Sequence, residues 1–154
     1  MPLNIPRTIE YADGKVRLIN QLLLPHKLEY IETSDWRRVA DAIKRMEIRG
    51  APAIGVAAAM AMALAAREAG SMPLQKAREF LESVAGALKS TRPTAVNLFW
   101  AVDRVLEKAR RARDTEELVR AVESEAIAIW RAVSYTHLRA HETEADLVCR
   151  LLLE

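Results

Sequence analysis

The stretch Ala51–Ala69 limits the fold more than any other part of this chain. It reads APAIGVAAAMAMALAAREA and carries no charged residue before Arg67. Pro52 suits a first helical turn, where its missing N–H would have no intrahelical partner. A helix over Pro52–Ala69 is apolar on most sides, so it has no broad face to give to water and belongs at the centre of a bundle. Its small side chains let neighbouring helices approach closely. The apolar run 51–66 is slightly short for a bilayer span, which takes about 20 residues, so it reads as a buried core helix.

Other helices are expected around it. Thr33-Ser34-Asp35 offers N-cap oxygens for a first helix with the stripe Trp36, Val39, Ala40, Ile43 and Met46. Gly70 is expected to stop the central helix. A third helix carries Leu74, Ala77, Leu81, Val84 and Leu88. A fourth, from Pro93 to about Ala112, carries Val96, Phe99, Trp100, Val105 and Leu106. A fifth starts at Asp114, with Glu117 placed as in a capping box, and uses Leu118, Val122, Ile127 and Ile129. Trp100 and Trp130 read as core.

The N-terminus has the shorter rhythm of strands. Thr8–Tyr11 and Val16–Asn20 flank Asp13-Gly14, the dipeptide that favours a two-residue hairpin turn. Leu28–Glu32 reads as a third strand after Pro25-His26, and His26 reads as a surface residue. The fold class is therefore α+β and mostly helical: a small antiparallel sheet (8–32) followed by a five-helix bundle (34–132).

Two stretches share a grammar that suits an anion. In Ile48-Arg49-Gly50-Ala51-Pro52 and Ser90-Thr91-Arg92-Pro93-Thr94, an arginine and a proline precede a helix. Gly50 allows a tight turn and close approach of a ligand. Helix N-termini present free N–H groups and a positive dipole end. The second and third helices have similar lengths, about 17 residues or roughly 26 Å each at 1.5 Å per residue. An antiparallel hairpin of the two would return Arg92 to the side of Arg49, making a phosphate cradle from two arginines and two helix starts.

No complete catalytic constellation accompanies the cradle. Glu123 and Glu125 point to different faces of one helix, Ser71 and Ser90 lack a histidine relay, and no Walker A or Gly-x-Gly-x-x-Gly pattern occurs. No cofactor is expected. The 154 residues suit one domain, or a domain plus a tail, and 51% hydrophobic with 29% charged residues is ordinary for a globular chain. A formal net charge of +2 is too small to imply nucleic acid or an anionic membrane as partner. Cys149 is the single cysteine, and Met1–Pro6 lacks the pattern of a signal peptide, so the cytoplasm is expected.

His137 and His141 stand four apart ahead of Glu142, a metal-like spacing. However, VSYTHLRAHET (133–143) resembles the translation of a transposase-type sequencing adapter. DLVCRLLLE (146–154) resembles the adapter segment that follows it in the same frame, with Glu144 and Ala145 at the place of a variable index. On this reading the natural sequence ends near Ala132, residues 133–154 form a non-native tail, and no metal site is expected.

Arg49-Gly50-Ala51-Pro52-Ala53-Ile54-Gly55 and Ser90-Thr91-Arg92-Pro93-Thr94-Ala95-Val96-Asn97-Leu98 together resemble the two N-terminal motifs of the S-methyl-5-thioribose-1-phosphate isomerases. Pro6–Tyr11, the hairpin and Leu24-Pro25 fit the same family, so the resemblance covers residues 1–132. It implies conversion of an aldose 1-phosphate to the ketose in methionine salvage, a homodimer when full length, and a Rossmann-like C-terminal domain absent here. By the same resemblance Arg49, Gly50, Ala51 and Arg92 contact the sugar phosphate, chiefly at its phosphate. The catalytic cysteine and aspartate belong to the absent domain, so this chain holds no catalytic residue and half a site. Alternatives are a ribose-1,5-bisphosphate isomerase, a non-catalytic regulatory subunit related to initiation factor 2B, or a helical interaction module with no ligand.

Overall fold

A hairpin is dictated where Asp-Gly sits between two β-favouring runs, and the chain opens with one. The computed structural model describes residues 9–12, 14–20, 26, 29–48 and 50–133. Strands β1 (Ile9–Ala12), β2 (Lys15–Ile19) and β3 (Tyr30–Thr33) form an antiparallel sheet in the order β1-β2-β3. Gly14 takes φ 73°, the left-handed geometry such a turn requires. Tyr11 pairs with Val16, and Arg17 stands between Glu10 and Glu32. Ile9, Tyr11, Val16 and Leu18 bury one face, while Arg17 on the other stacks over Tyr30 at 4.0 Å.

Five helices follow: α1 (Trp36–Lys44), α2 (Ala51–Glu68), α3 (Leu74–Thr91), α4 (Val96–Arg111) and α5 (residues 115–133). Asp35 caps α1, its carboxylate accepting from the Arg37 N–H at 2.9 Å. At α5 the Glu117 N–H donates to Asp114 at 2.7 Å, while Glu117 accepts from the Arg113 N–H at 3.1 Å. This is the reciprocal cap expected there, shifted by one residue on its return arm.

Helix α2 is the axle of the bundle. Val56 to Ala66 is buried without interruption, and α1, α3 and α4 all pack against it. Burial on every side is what the absence of a polar face demands. The end of α2 departs from expectation. Gly70 is not left-handed; the chain tightens into a 3₁₀ turn over Ala69–Ser71 before Pro73 opens α3.

Helix α4 requires two corrections. It starts at Val96 and not at Pro93, because Arg92–Ala95 forms a turn in which the Ala95 N–H donates to the Arg92 carbonyl at 3.0 Å. Its buried stripe is Leu98, Ala101, Val102, Val105, Leu106 and Ala109. Val96 and Trp100 lie off that stripe and are 78% and 50% exposed, so neither is core. The small Ala101 faces inward, as close packing on an alanine-rich partner favours, and Trp100 is turned about 100° away from it. Met46 likewise leaves the α1 stripe, whose buried members are Val39, Ala42 and Ile43. Trp130 and Ile127 pack partly buried against the core.

The sheet is fastened to the far end of α2. Arg67 donates to Glu123 on α5 at 3.2 Å, and its guanidinium fills the space that a Cβ on Gly14 would need. The buried Tyr11 hydroxyl has no hydrogen-bond partner among the described residues. Burial, followed by the nearby Glu123 carboxylate, pushes its pKa from 10.0 up to about 12. The folded protein thus holds a proton that the unfolded chain releases above pH 10, and stability falls as pH rises from about 10 to about 12. Tyr11→Phe should flatten that decline relative to wild type in urea midpoints measured from pH 9 to pH 12. Parallel curves would place the alkaline loss elsewhere.

His137, His141, Cys149 and the rest of the adapter-like stretch after Val133 lie outside the described residues, as does Leu28.

Candidate functional site

The α2–α3 hairpin carries the chain out and back over two helices of 18 residues each. It thereby returns the second arginine-proline stretch to the level of the first. A cleft of about 760 Å³ opens there, lined by Met46, Gly50, Ile54, Arg92, Thr94, Ala95, Val96 and Asn97. Residues of both stretches line this one cleft. Gly50 and Arg92 share the cleft, and Ala51 is the first residue of α2. Arg49 lies outside the described residues, so its half of the cradle has no geometry here.

Both helix N-termini at the cleft lack a side-chain cap, α2 at Gly50 and α4 at Ala95. The first intrahelical acceptors are the Gly50 carbonyl, for the Ile54 N–H at 3.0 Å, and the Ala95 carbonyl, for the Phe99 N–H at 3.2 Å. The earlier N–H groups of each first turn have no partner within the helix. Two positive dipole ends thus border one cavity. Gly50 has φ 94°, a conformation that side chains disfavour, and, its chain neighbours aside, no atom of the described residues stands within 4 Å of where its Cβ would be. Glycine is needed here for backbone shape, not because a neighbour crowds it.

Arg92 ends α3 and is half-buried. Among the described residues no carboxylate pairs with its guanidinium. Several other arginines of the bundle are paired: Arg67 with Glu123, Arg104 with Glu125, and Arg110 with Glu82. Those pairs also dispose of Glu123 and Glu125 as an acid/base couple, since each faces a different arginine. The Ser90 and Thr91 hydroxyls donate to the Ala87 and Leu88 carbonyls at 2.7 and 2.6 Å, closing the last turn of α3. They are structural members of their motif.

Five residues gain a role at the cleft that the sequence does not assign to them. Thr94 and Asn97 bring polar side chains to the cleft, and Met46 and Val96 form an apolar wall. Thr94 and Asn97 have no expected role within their motif, and Val96 is expected in the α4 core stripe, not at a cleft. Met46 looked like the end of a helical stripe. Gly55 sets a spacing: a Cβ there would stand 3.0 Å from the Asn97 carbonyl oxygen, so α2 and the first turn of α4 touch backbone to backbone. The described lining has one cation, polar side chains and two helix starts, and it has no carboxylate, histidine or thiol. Such a set can hold and orient an anion but offers no group to move a proton between carbons.

The initiation factor 2 subunit family model matches residues 47–148. A methylthioribose-1-phosphate isomerase of Acetivibrio thermocellus is 45% identical over 122 residues, covering 78% of this chain and 36% of that enzyme. The crystal structure of 5-methylthioribose 1-phosphate isomerase from Pyrococcus horikoshii superposes with a TM-score of 0.77 at 41% identity, over 82% of this chain and 36% of the other. A structure described as translation initiation factor eIF-2B, subunit delta, from A. fulgidus gives a TM-score of 0.75 at 43% identity, over 80% and 36%. The chain spans about a third of the length of these relatives.

Proposed function

The chain belongs to the initiation factor 2 subunit family, and from that premise we propose that it is the phosphate-holding N-terminal part of a sugar-phosphate aldose–ketose isomerase. The substrate of this reading is S-methyl-5-thio-α-D-ribose 1-phosphate, and the product is the corresponding ribulose 1-phosphate, a step of methionine salvage. One observation carries the reading: Gly50 and Arg92 line a single cleft bordered by two uncapped helix N-termini. The phosphate sits against the α2 start, with Arg92 and Arg49 supplying charge-assisted contacts. Holding the phosphate places C1 and C2 of the sugar for an acid/base group that the described lining of the cleft does not contain. That group belongs to the part of the relatives' length not spanned here.

Two measurements on the chain as it stands test this. Calorimetric titration with inorganic phosphate should give saturable binding, and incubation with methylthioribose 1-phosphate should give no ketose by NMR. Absence of phosphate binding would sink the cradle. Sustained ketose formation would show that the acid/base group lies within these residues after all. A second reading, a regulatory subunit without catalysis, draws on the initiation-factor description of the A. fulgidus structure. Extending the chain to the full length of its relatives separates the two, because the isomerase reading then requires turnover.

A further inference from the structure

The segment that delivers Gly50 to the cleft is held by an ion pair between a half-buried arginine and a buried glutamate. Helix α1 is capped at its C-terminus by Arg45, and Met46 follows at φ 62°, left-handed although it is not glycine. The Met46 N–H donates to the Ile43 carbonyl at 3.2 Å and the Glu47 N–H to the Ala42 carbonyl at 2.9 Å. This is the Schellman closure of a helix, with methionine where glycine is usual. A left-handed non-glycine residue persists only where its surroundings over-determine it. Glu47 is the constraint. It is the sole charged residue among the buried ones described, 3% exposed. Its carboxylate accepts from Arg38 at 2.9 Å, and Arg45 approaches it at 3.9 Å. Asp41 lies 3.5 Å from Arg38 and 3.6 Å from Arg45, completing the network. Ile48, next in the chain, is buried at 3%, so the loop is gripped at two successive side chains before it reaches the cleft.

We propose that Glu47 is a positioning residue, whose Arg38-held carboxylate fixes the backbone at Met46–Ile48 so that the α2 start at Gly50 faces the anion. The consequence for the anion rests on the phosphate reading above; the fixing of the backbone does not. Glu47 lines no part of the cleft, so it acts through the loop and not by contact with the ligand.

The test uses the full chain with Glu47→Gln, Arg38→Gln and the double variant. Two readouts are taken: inorganic phosphate affinity by calorimetry, and amide hydrogen exchange at Ile48 and Gly50. Each single variant should weaken phosphate binding by about tenfold or more, the effect of losing one charge-assisted hydrogen bond to the ligand. Exchange at Ile48 and Gly50 should rise while the interior of α3 stays protected. The double variant should be no worse than the worse single one, since both remove one interaction. Should Glu47→Gln fail to fold, Arg38→Lys, which keeps charge but loses the planar fork, is read in its place. Folded variants with affinity within about twofold of wild type and unchanged exchange would overturn the proposal. If wild type itself does not bind phosphate, the anion reading fails, and exchange at Ile48 and Gly50 alone decides the positioning claim.

Discussion

Arg92→Ala should weaken inorganic phosphate binding by this chain by about 10- to 150-fold, and should lower kcat/KM by a similar factor in a protein extended to the relatives' full length. The estimate follows from a charge-assisted hydrogen bond contributing about 1.5–3 kcal/mol, with each 1.4 kcal/mol equal to a factor of ten. Arg92 is suited to this effect because no carboxylate among the described residues competes for its guanidinium, and because it is half-buried beside two helix starts. Removing it breaks no ion pair among the described residues, so the melting temperature should hardly move. Arg92→Lys should recover part of the loss, keeping charge without the two-pronged geometry. Arg49→Ala should fall in the same range if the two arginines share one phosphate. Full retention of phosphate affinity by both alanine variants would remove the cradle and leave the family assignment to stand without it.

Gly55→Val should destabilise the fold by about 1–3 kcal/mol through overpacking, and should also impair phosphate binding. A Cβ at this position meets the Asn97 carbonyl oxygen at 3.0 Å and the carbonyl carbon at 3.4 Å. Both are backbone atoms of the first turn of α4 and cannot swing aside as a side-chain tip would. Valine's further methyls would push the α4 start away from α2, the same two N-termini that border the cleft. Gly55→Ala is a finer probe, since its helix-propensity gain of about 1 kcal/mol opposes the clash. Gly86 is the control. It lies exposed within α3, and a Cβ there meets nothing within 4 Å. Gly86→Ala should therefore stabilise by about 0.5–1 kcal/mol with phosphate affinity unchanged. Urea denaturation and calorimetry check both pairs. Equal stability of Gly55→Val and wild type would show that α4 yields freely and that the spacing is not tight.

How much of this was legible beforehand differs from element to element. Features governed by neighbours in sequence were readable from the residues. The hairpin at Gly14, the caps at Asp35 and Asp114, and the burial of α2 follow from turn geometry, local hydrogen bonding and the lack of any polar face. The convergence of Gly50 and Arg92 was also readable, because it needs only two helices of similar length joined by a short turn. Features governed by rotation about a helix axis or by distant partners were not. Composition could not say which stripe of α4 turns inward, since Val96 and Trp100 are as apolar as Leu98 and Val102. Contact with the alanine-rich α2 decided it, favouring the side on which Ala101 permits close approach. The burial of Glu47 runs against its residue type and depends on Arg38 nine positions away reaching back over the end of α1. Gly55 carries no local mark that separates it from the small residues around it; only the α4 backbone at 3.0 Å gives it a role. Sequence alone thus determined the elements and the end of the bundle at which the two arginine-proline stretches meet. Tertiary packing decided the cleft's shape, because the atoms that bound it come from segments that touch only after the bundle has closed.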